Sequence, residues 1–390
     1  MDSKTILRAL VLLTGTLAAF VHSPGQLRLS GQASAAYVKS DAGYSQYIID
    51  QGRPTFAWRF DLFADAAISE HIFFYSNVRM LQDQVVHVDL FSLKFADLTP
   101  AEINIEAGEI DLPFGNLGER RFPRTNPFYN LPLLHEHLTS LRSSNYALWP
   151  FDSRYTAGGD GIPILDQGLY DLGVKLYGGL GMFDYWVALT NGMLSATSTY
   201  SSSYGSSGLN TKRGLGTIAR LAATPVTALT IGSSYATGPF IREYGAYFYG
   251  VQSSDIQQHA VEGDIDFTLE HFSLYAEVVR NIWTFYDALG YDLTATGYSV
   301  EGRYTLVPRL TLAARAGEIF FDQIRVNSQL VPNESYLVKW DRDILRIEGA
   351  LGYRLDRSAL VKLIYVSNTE IGVTEDPPDN SLIIQAVVSF

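Results

Sequence analysis

Apolar and polar residues alternate one by one through segment after segment of this chain, in runs of about 9 to 12 residues. In "TFAWRFDLFADAAI", Phe56, Trp58, Phe60, Leu62, Ala64 and Ile68 fall on one face, opposite Arg59, Asp61 and Asp65. A period of two is the signature of a β-strand. The same period returns in "QLRLSGQASAAY", "AEINIEAGEI", "LYDLGVKLY", "MFDYWVALT", "HAVEGDIDFTL", "FSLYAEVV", "GYSVEGRYTL", "DILRIEGALGY" and "ALVKLIYV". Strands of ordinary globular domains average nearer five or six residues. A tilted strand that crosses a bilayer needs about nine to eleven.

The connections carry a second rhythm. Tight links at 69–71, 178–181, 223–226, 269–271, 306–309 and 355–358 alternate with long polar ones at 39–54, 111–167, 191–213, 238–256, 282–292, 321–342 and 369–380. The count is about sixteen strands, with both ends of the chain on the tight-turn side. Composition agrees: 18% charged residues, 33 Gly, 24 Tyr and 21 Phe suit many strands and turns. A soluble sandwich would alternate too, but would have no reason for this rhythm or this strand length. After residue 26 no run approaches the ~20 apolar residues of a spanning helix. A closed barrel can still span a bilayer, because its backbone groups are satisfied between strands. The expected fold is all-β: a transmembrane antiparallel barrel of about sixteen strands, with short periplasmic turns and long extracellular loops.

Lys4 and Arg8 precede an apolar stretch from Ala9 to Phe20, the layout of a signal peptide. Residues 1–25 are therefore expected to be a leader, cut after Ser23 or Gly25, and 26–390 the barrel. A buried helix at the start of a cytosolic domain is the alternative. The chain has no cysteine, so no disulfide or thiolate metal site, and its net charge of −12 argues against nucleic acid as a partner.

The chain ends on "SLIIQAVVSF", with Leu382, Ile384, Ala386, Val388 and Phe390 on one face. In a closed barrel this strand pairs with "QLRLSGQASAAY", and membrane lipid covers its apolar face. The ending resembles the carboxy-terminal signature of bacterial outer-membrane proteins. That resemblance implies recognition by the barrel-assembly machinery, with Phe390 as the assembly signal.

The opposite face of the strands is polar and mixed in charge, and includes Arg59, Asp61, Glu102, Lys175, Glu262, Asp264, Glu301, Arg303, Arg315, Arg346, Glu348 and Lys362. Charges are costly against lipid and cheap against water, and sixteen strands enclose more space than wall side chains fill. Arg59, Asp61, Glu301, Arg303, Arg346 and Glu348 are thus expected to line a pore open to small hydrophilic solutes. The alternative is a lumen closed by salt bridges. The longest connection, 111–167, is a candidate constriction, since long loops are uncommon unless functional. Its Arg120, Arg121, Arg124, Arg142 and Arg154 would favour anions there; pairing with neighbouring acids or with lipopolysaccharide is the competing role.

Within "GEIDLPFGNLGERRFPRTNPF", Gly108, Pro113, Phe114, Gly115, Asn126 and Pro127 resemble a segment of Gram-negative porin-like families, the phosphate-selective porins among them. The resemblance implies a porin, commonly a homotrimer, and anion transport; a lysine ladder for phosphate is not apparent here.

Other motifs are weaker. His135 and His137 in "HEH" have a spacing able to ligate metal, but a polar surface is the ordinary expectation, and no metal or cofactor is assigned. "GGDG" at 158–161 reads as a turn, and "SATSTYSSSYGSSG" at 195–208 as a solvated loop. His271 and Ser273 share the spacing of the outer-membrane phospholipase pair but fall on the face away from lipid, and no hydrolase, P-loop or zinc-protease motif appears. Catalysis is not expected. A barrel that sheathes or scaffolds a partner protein is the runner-up to a porin.

Overall fold

In the computed structural model the described residues are 27–41, 53–82, 85–99, 102–141, 161–166, 168–195, 214–241, 250–285, 290–327, 335–372 and 379–390. The proposed leader, the "GGDG" glycines 158 and 159, and all of the serine-rich tract beyond Ser195 lie outside them.

The alternating segments fold as strands. The first four are β1 (Leu27–Ser40), β2 (Thr55–Ala67), β3 (Ile72–Leu81) and β4 (Val86–Phe95). Then come β5 (Asn104–Asp111), β6 (Tyr170–Leu180), β7 (Phe183–Thr190), β8 (Gly216–Val226) and β9 (Leu229–Pro239). β10 (Gln257–Leu269), β11 (Phe272–Trp283), β12 (Leu293–Val307) and β13 (Leu310–Phe321) follow. β14 (Gln323–Asn327) and β15 (Ser335–Lys339) pair only with each other, a small hairpin inside one long connection. β16 (Asp343–Arg354), β17 (Ala359–Ile371) and β18 (Ser381–Ser389) complete the chain. Each barrel strand pairs antiparallel with its neighbour, and β18 returns to β1, so sixteen strands close into a barrel. Two residues suffice for the turns at 181–182, 227–228, 270–271 and 308–309.

β1 and β18 meet in the register Gln32↔Ser389 to Ser40↔Ser381. Two backbone bonds of 3.0 Å, Gly31 N to Phe390 O and Phe390 N to Gly31 O, carry the pairing to the last residue. Leu382, Ile384 and Val388 are 46–50% exposed on the outer wall, whereas Ile383 and Val387, facing inward, are only 1–2% exposed. An apolar outer face repeated around the wall marks the barrel as transmembrane.

In "VVHVDLFSLKF" (85–95) the alternation of apolar residues changes face near Leu90 and Phe91, and a β-bulge lies there. Asn77 pairs with Leu90 but Val78 with Val88, leaving Asp89 as the extra residue. The bulge turns Asp89 inward, where Arg79 Nε lies 2.9 Å from its carboxylate, and keeps Val88 and Phe91 both on the outside. Glu102, by contrast, does not line the wall. It sits exposed in the turn before β5, with φ of 54°.

Gly31 makes room for the end of the chain. A Cβ there would lie 2.5 Å from Cζ of Phe390 and 2.9 Å from the Asp61 carbonyl, and the Phe390 ring stacks against Phe60 at 6.3 Å. Gly31→Val should therefore displace the ring and strain the seam, at a cost of about 1–3 kcal/mol. The expected result is a lower midpoint in a heat-dependent gel-mobility shift of the folded barrel; an unchanged midpoint would refute the role of the glycine.

Candidate pore constriction

The described residues of the connection from β5 to β6 turn into the barrel rather than away from it. Leu112 N bonds the Leu169 carbonyl at 2.7 Å, closing the neck of the loop. The chain then bends at Gly115, whose φ of +65° is a left-handed conformation that suits glycine. Gly115 N donates to Ser234 Oγ at 3.1 Å, and Asn116 Nδ2 reaches Asp266 Oδ2 at 3.4 Å. A 3-10 turn at Gly118–Arg121 and a single helical turn, α1 (Leu133–Glu136), follow. The returning strand of the loop is tied back by Thr139 N to Ile162 O and by Leu165 N to Leu134 O.

Four cations from one side of the wall hold this loop, mostly by its main chain. Lys362 Nζ, on β17, donates to the carbonyls of Pro123 (2.9 Å), Asn126 (3.0 Å) and Phe128 (3.3 Å). Arg315, on β13, donates to those of Asn130 (2.8 Å) and Leu131 (3.1 Å), and Arg303, on β12, to that of Thr125 (2.9 Å). Arg346, on β16, pairs with Glu136 at 2.6 Å and bonds Asn368 at 2.7 Å. Charge-assisted bonds to carbonyls are stronger than neutral ones and offset part of the burial cost of the cations.

Part of the interior is apolar, which alternation along the strands did not suggest. Phe114, Leu133, Leu134 and Leu165 of the loop join Trp283, Phe321 and Trp340 in one buried cluster. Phe128 seats against Val38, Ile364 and Val366 in a second.

The pore-lining residues expected from sequence lie in these contacts. Arg59 donates to Asp61 at 2.9 Å and to the Arg121 carbonyl at 3.2 Å, and Gln32 donates to Asp61 at 3.1 Å. Glu301 is fully buried between Arg315 (3.4 Å), Arg303 (3.5 Å) and Arg120 (3.8 Å), and Glu348 accepts from Arg315 Nε at 2.6 Å.

The loop arginines diverge. Arg120 is buried, donating to Asn116 O at 2.5 Å and standing over the Tyr275 ring at 4.5 Å. Arg121 points the other way, over Tyr170 at 4.7 Å, and donates to the carbonyls of Gly118 (2.9 Å) and Gly168 (3.0 Å). Arg124 reaches the seam, bonding Ser389 Oγ and the Arg357 carbonyl. Arg142 and Arg154 lie outside the described residues.

His135 and His137 are buried rather than on a polar surface, and they face different neighbours. His135 Nε2 is 3.8 Å from Glu277 Oε1, while His137 lies against the Phe321 ring. Burial holds both near pKa 3, helped by Arg120 beside His135 and Arg346 beside His137, so both are neutral at ordinary pH. Among the described residues no His/Asp/Glu group fits a metal ion.

Among the described residues, two of the cavities flank the loop. One, of about 300 Å³, lies against β1–β3 with Arg59, Arg79, Arg121 and Tyr129 on its walls. The other, of about 340 Å³, lies against β5–β10 with Lys175, Asp184, Trp186, Arg220 and Asp266. Arg220, which pairs with Asp264 at 2.5 Å, escaped sequence reading because its inward neighbours Ile218 and Ala222 are apolar.

A closed barrel of sixteen antiparallel strands with a long loop tied across its interior is the fold of the Gram-negative outer-membrane porins. Solved structures agree. The chain superposes on OmpT, an outer-membrane protein of Vibrio cholerae, with a TM-score of 0.56 at 12% identity, covering 94% of this chain and 98% of that one. It superposes on the anion-selective porin from Comamonas acidovorans with a TM-score of 0.56 at 10% identity, over 94% and 100% of the two chains. For OmpF of Salmonella typhi, in complex with daunomycin, the TM-score is 0.56 at 10% identity, over 93% and 97%. No family model and no curated protein matches the sequence.

Replacing Lys362 by methionine leaves three loop carbonyls without their donor, at a cost of about 1–3 kcal/mol. Amides of residues 123–131 should then exchange hydrogen about tenfold faster or more, while β1 and β18 stay protected. Unchanged exchange in the loop would show that the lysine does not hold it.

Proposed function

We propose that the chain is an outer-membrane porin: a water-filled barrel through which small hydrophilic solutes or ions diffuse passively, narrowed by residues 111–167. The observation that carries this reading is the loop itself, fixed across a barrel too wide to fill and flanked by two cavities with charged walls. Lumen charge and width would decide what passes, with no covalent chemistry. Arg59, Asp61, Glu301, Arg303, Arg346 and Glu348 would set the charge of the wall. Arg120, Arg121, Arg124, Arg142 and Arg154 would bias the constriction toward anions. The anion selectivity of the Comamonas acidovorans neighbour is in keeping with that bias.

Residues 1–25 would direct export, and the barrel-assembly machinery would take up the strand ending in Phe390. Lipid and lipopolysaccharide would cover the outer wall. A homotrimer is the assembly we favour, since one fold neighbour, in-vitro folded OmpT of Vibrio cholerae, is described in a trimer form. A sheath for a partner protein is less favoured, because the loop already occupies the middle of the lumen.

The purified protein should open stepwise channels in a planar bilayer, and under a salt gradient its reversal potential should show anion preference. Changing the five loop arginines to alanine should move that potential toward cations. A folded barrel with no conductance would end the open-pore reading.

A further inference from the structure

The two cavities lie at opposite heights of the barrel. The one against β1–β3 reaches the long-loop ends of these strands, at Ala57 and Gln82. The one against β5–β10 reaches the tight-turn ends, at Asp184, Thr224 and Thr230. Among the described residues that line them, Arg121 alone belongs to both.

We propose that solutes follow one oblique route, from the long-loop mouth over β1–β3, past the Arg121 guanidinium, to the tight-turn mouth over β5–β10, with Arg121 as its gate and specificity-determining residue. The proposal rests on the channel reading and assigns the selecting step to one of its candidate residues.

The charges along the two cavities separate Arg121 from the other cations. Arg59 pairs with Asp61, Arg79 with Asp89, Arg220 with Asp264 and Lys175 with Glu106, each within 3.0 Å. Arg121 instead spends its bonds on two neutral carbonyls and stands on the face of Tyr170. Among the described residues no carboxylate lies within ion-pair distance of it; Asp111 and Asp89 act on it only from further away. A guanidinium held by carbonyls keeps its charge for a passing ligand, and its planar fork suits carboxylate or phosphate oxygens. The solute class that gains most at this point is therefore a small organic anion, carboxylated or phosphorylated. Past the gate the route is lined by Trp186, with Arg220 6.0 Å over its ring, and by the carboxylates of Asp184 and Asp266, which weaken the hold on an anion beyond Arg121. Among the described residues the other side of the lumen is taken up by the loop and its ties. There the loop is stapled to β12, β13, β16 and β17 by Arg303, Arg315, Arg346 and Lys362.

The chain has no cysteine, so single cysteines report without background. We would place one at a time by Gln82→Cys, Arg121→Cys and Asp184→Cys, with Ser273→Cys on the β11 wall as the off-route control. Each is treated in a planar bilayer with charged methanethiosulfonates. Modification at 121 should cut the current by more than half from either side. Position 82 should react faster from the long-loop side and position 184 from the tight-turn side, each with a measurable drop, while 273 changes the current little. If Arg121→Cys does not fold, the ordered reactivity of positions 82 and 184 still tests the route. A block at 273 equal to or deeper than at the other positions, or unchanged current after modification at 121, would overturn the oblique route. Absence of current from the unsubstituted folded protein would instead overturn the channel reading beneath it.

Discussion

Closure is the constraint on which everything else in this barrel rests. In a hydrocarbon environment an unpaired backbone group costs several kcal/mol, so a sheet can remain there only if its first and last strands find each other. The seam between β1 and β18 meets that condition through nine register pairs and the reciprocal bonds of Gly31 and Phe390. Closing sixteen strands has a geometric consequence, since the enclosed space is wider than wall side chains can fill. The interior therefore has to be organised by something other than the wall, and the connection between β5 and β6 is what organises it.

That loop is held by two unlike kinds of contact. On the side of β12 to β17 it is stapled by cations whose alternatives would be buried without partners. Elsewhere apolar side chains such as Phe114, Leu134 and Phe128 sit in dry clusters with inward-facing strand residues. Neither kind is strong alone. Together they hold an irregular chain in the middle of the barrel, with several of its main-chain carbonyls directed at wall donors.

Much of the barrel was legible in the sequence, because the period of two is written into every strand. Leu382, Ile384 and Val388 face outward as their spacing requires, and the face switch near Leu90 and Phe91 marks the bulge that the structure places at Asp89. The hairpin of β14 and β15 was not anticipated, since five-residue strands leave too short a pattern. The loop was legible only as a long insertion. Nothing in the spacing of Arg120, Arg121 and Arg124 reveals that they point to β11, to β6 and to the seam, because an irregular segment has no period to read. Ile319, Trp283 and Phe321 depart from the polar inward face for a related reason: inward positions near the long-loop ends are apolar where the loop covers them. His135 and His137 went from expected surface to interior because the loop carrying them folds inward.

The staples on the loop bind mostly carbonyl oxygens, and every amino acid has the same carbonyl. From Pro123 to Leu131 much of the chain's position is thus set through its main chain, with the seated Phe128 ring and the Asn126 side chain as its side-chain ties. A lineage of such barrels could exchange residues facing the open cavity, and with them the solutes admitted, while the frame stayed where Lys362, Arg315 and Arg303 put it. Residues that face only the cavity can therefore change with less effect on placement than Arg303 or Arg346, which carry both tasks.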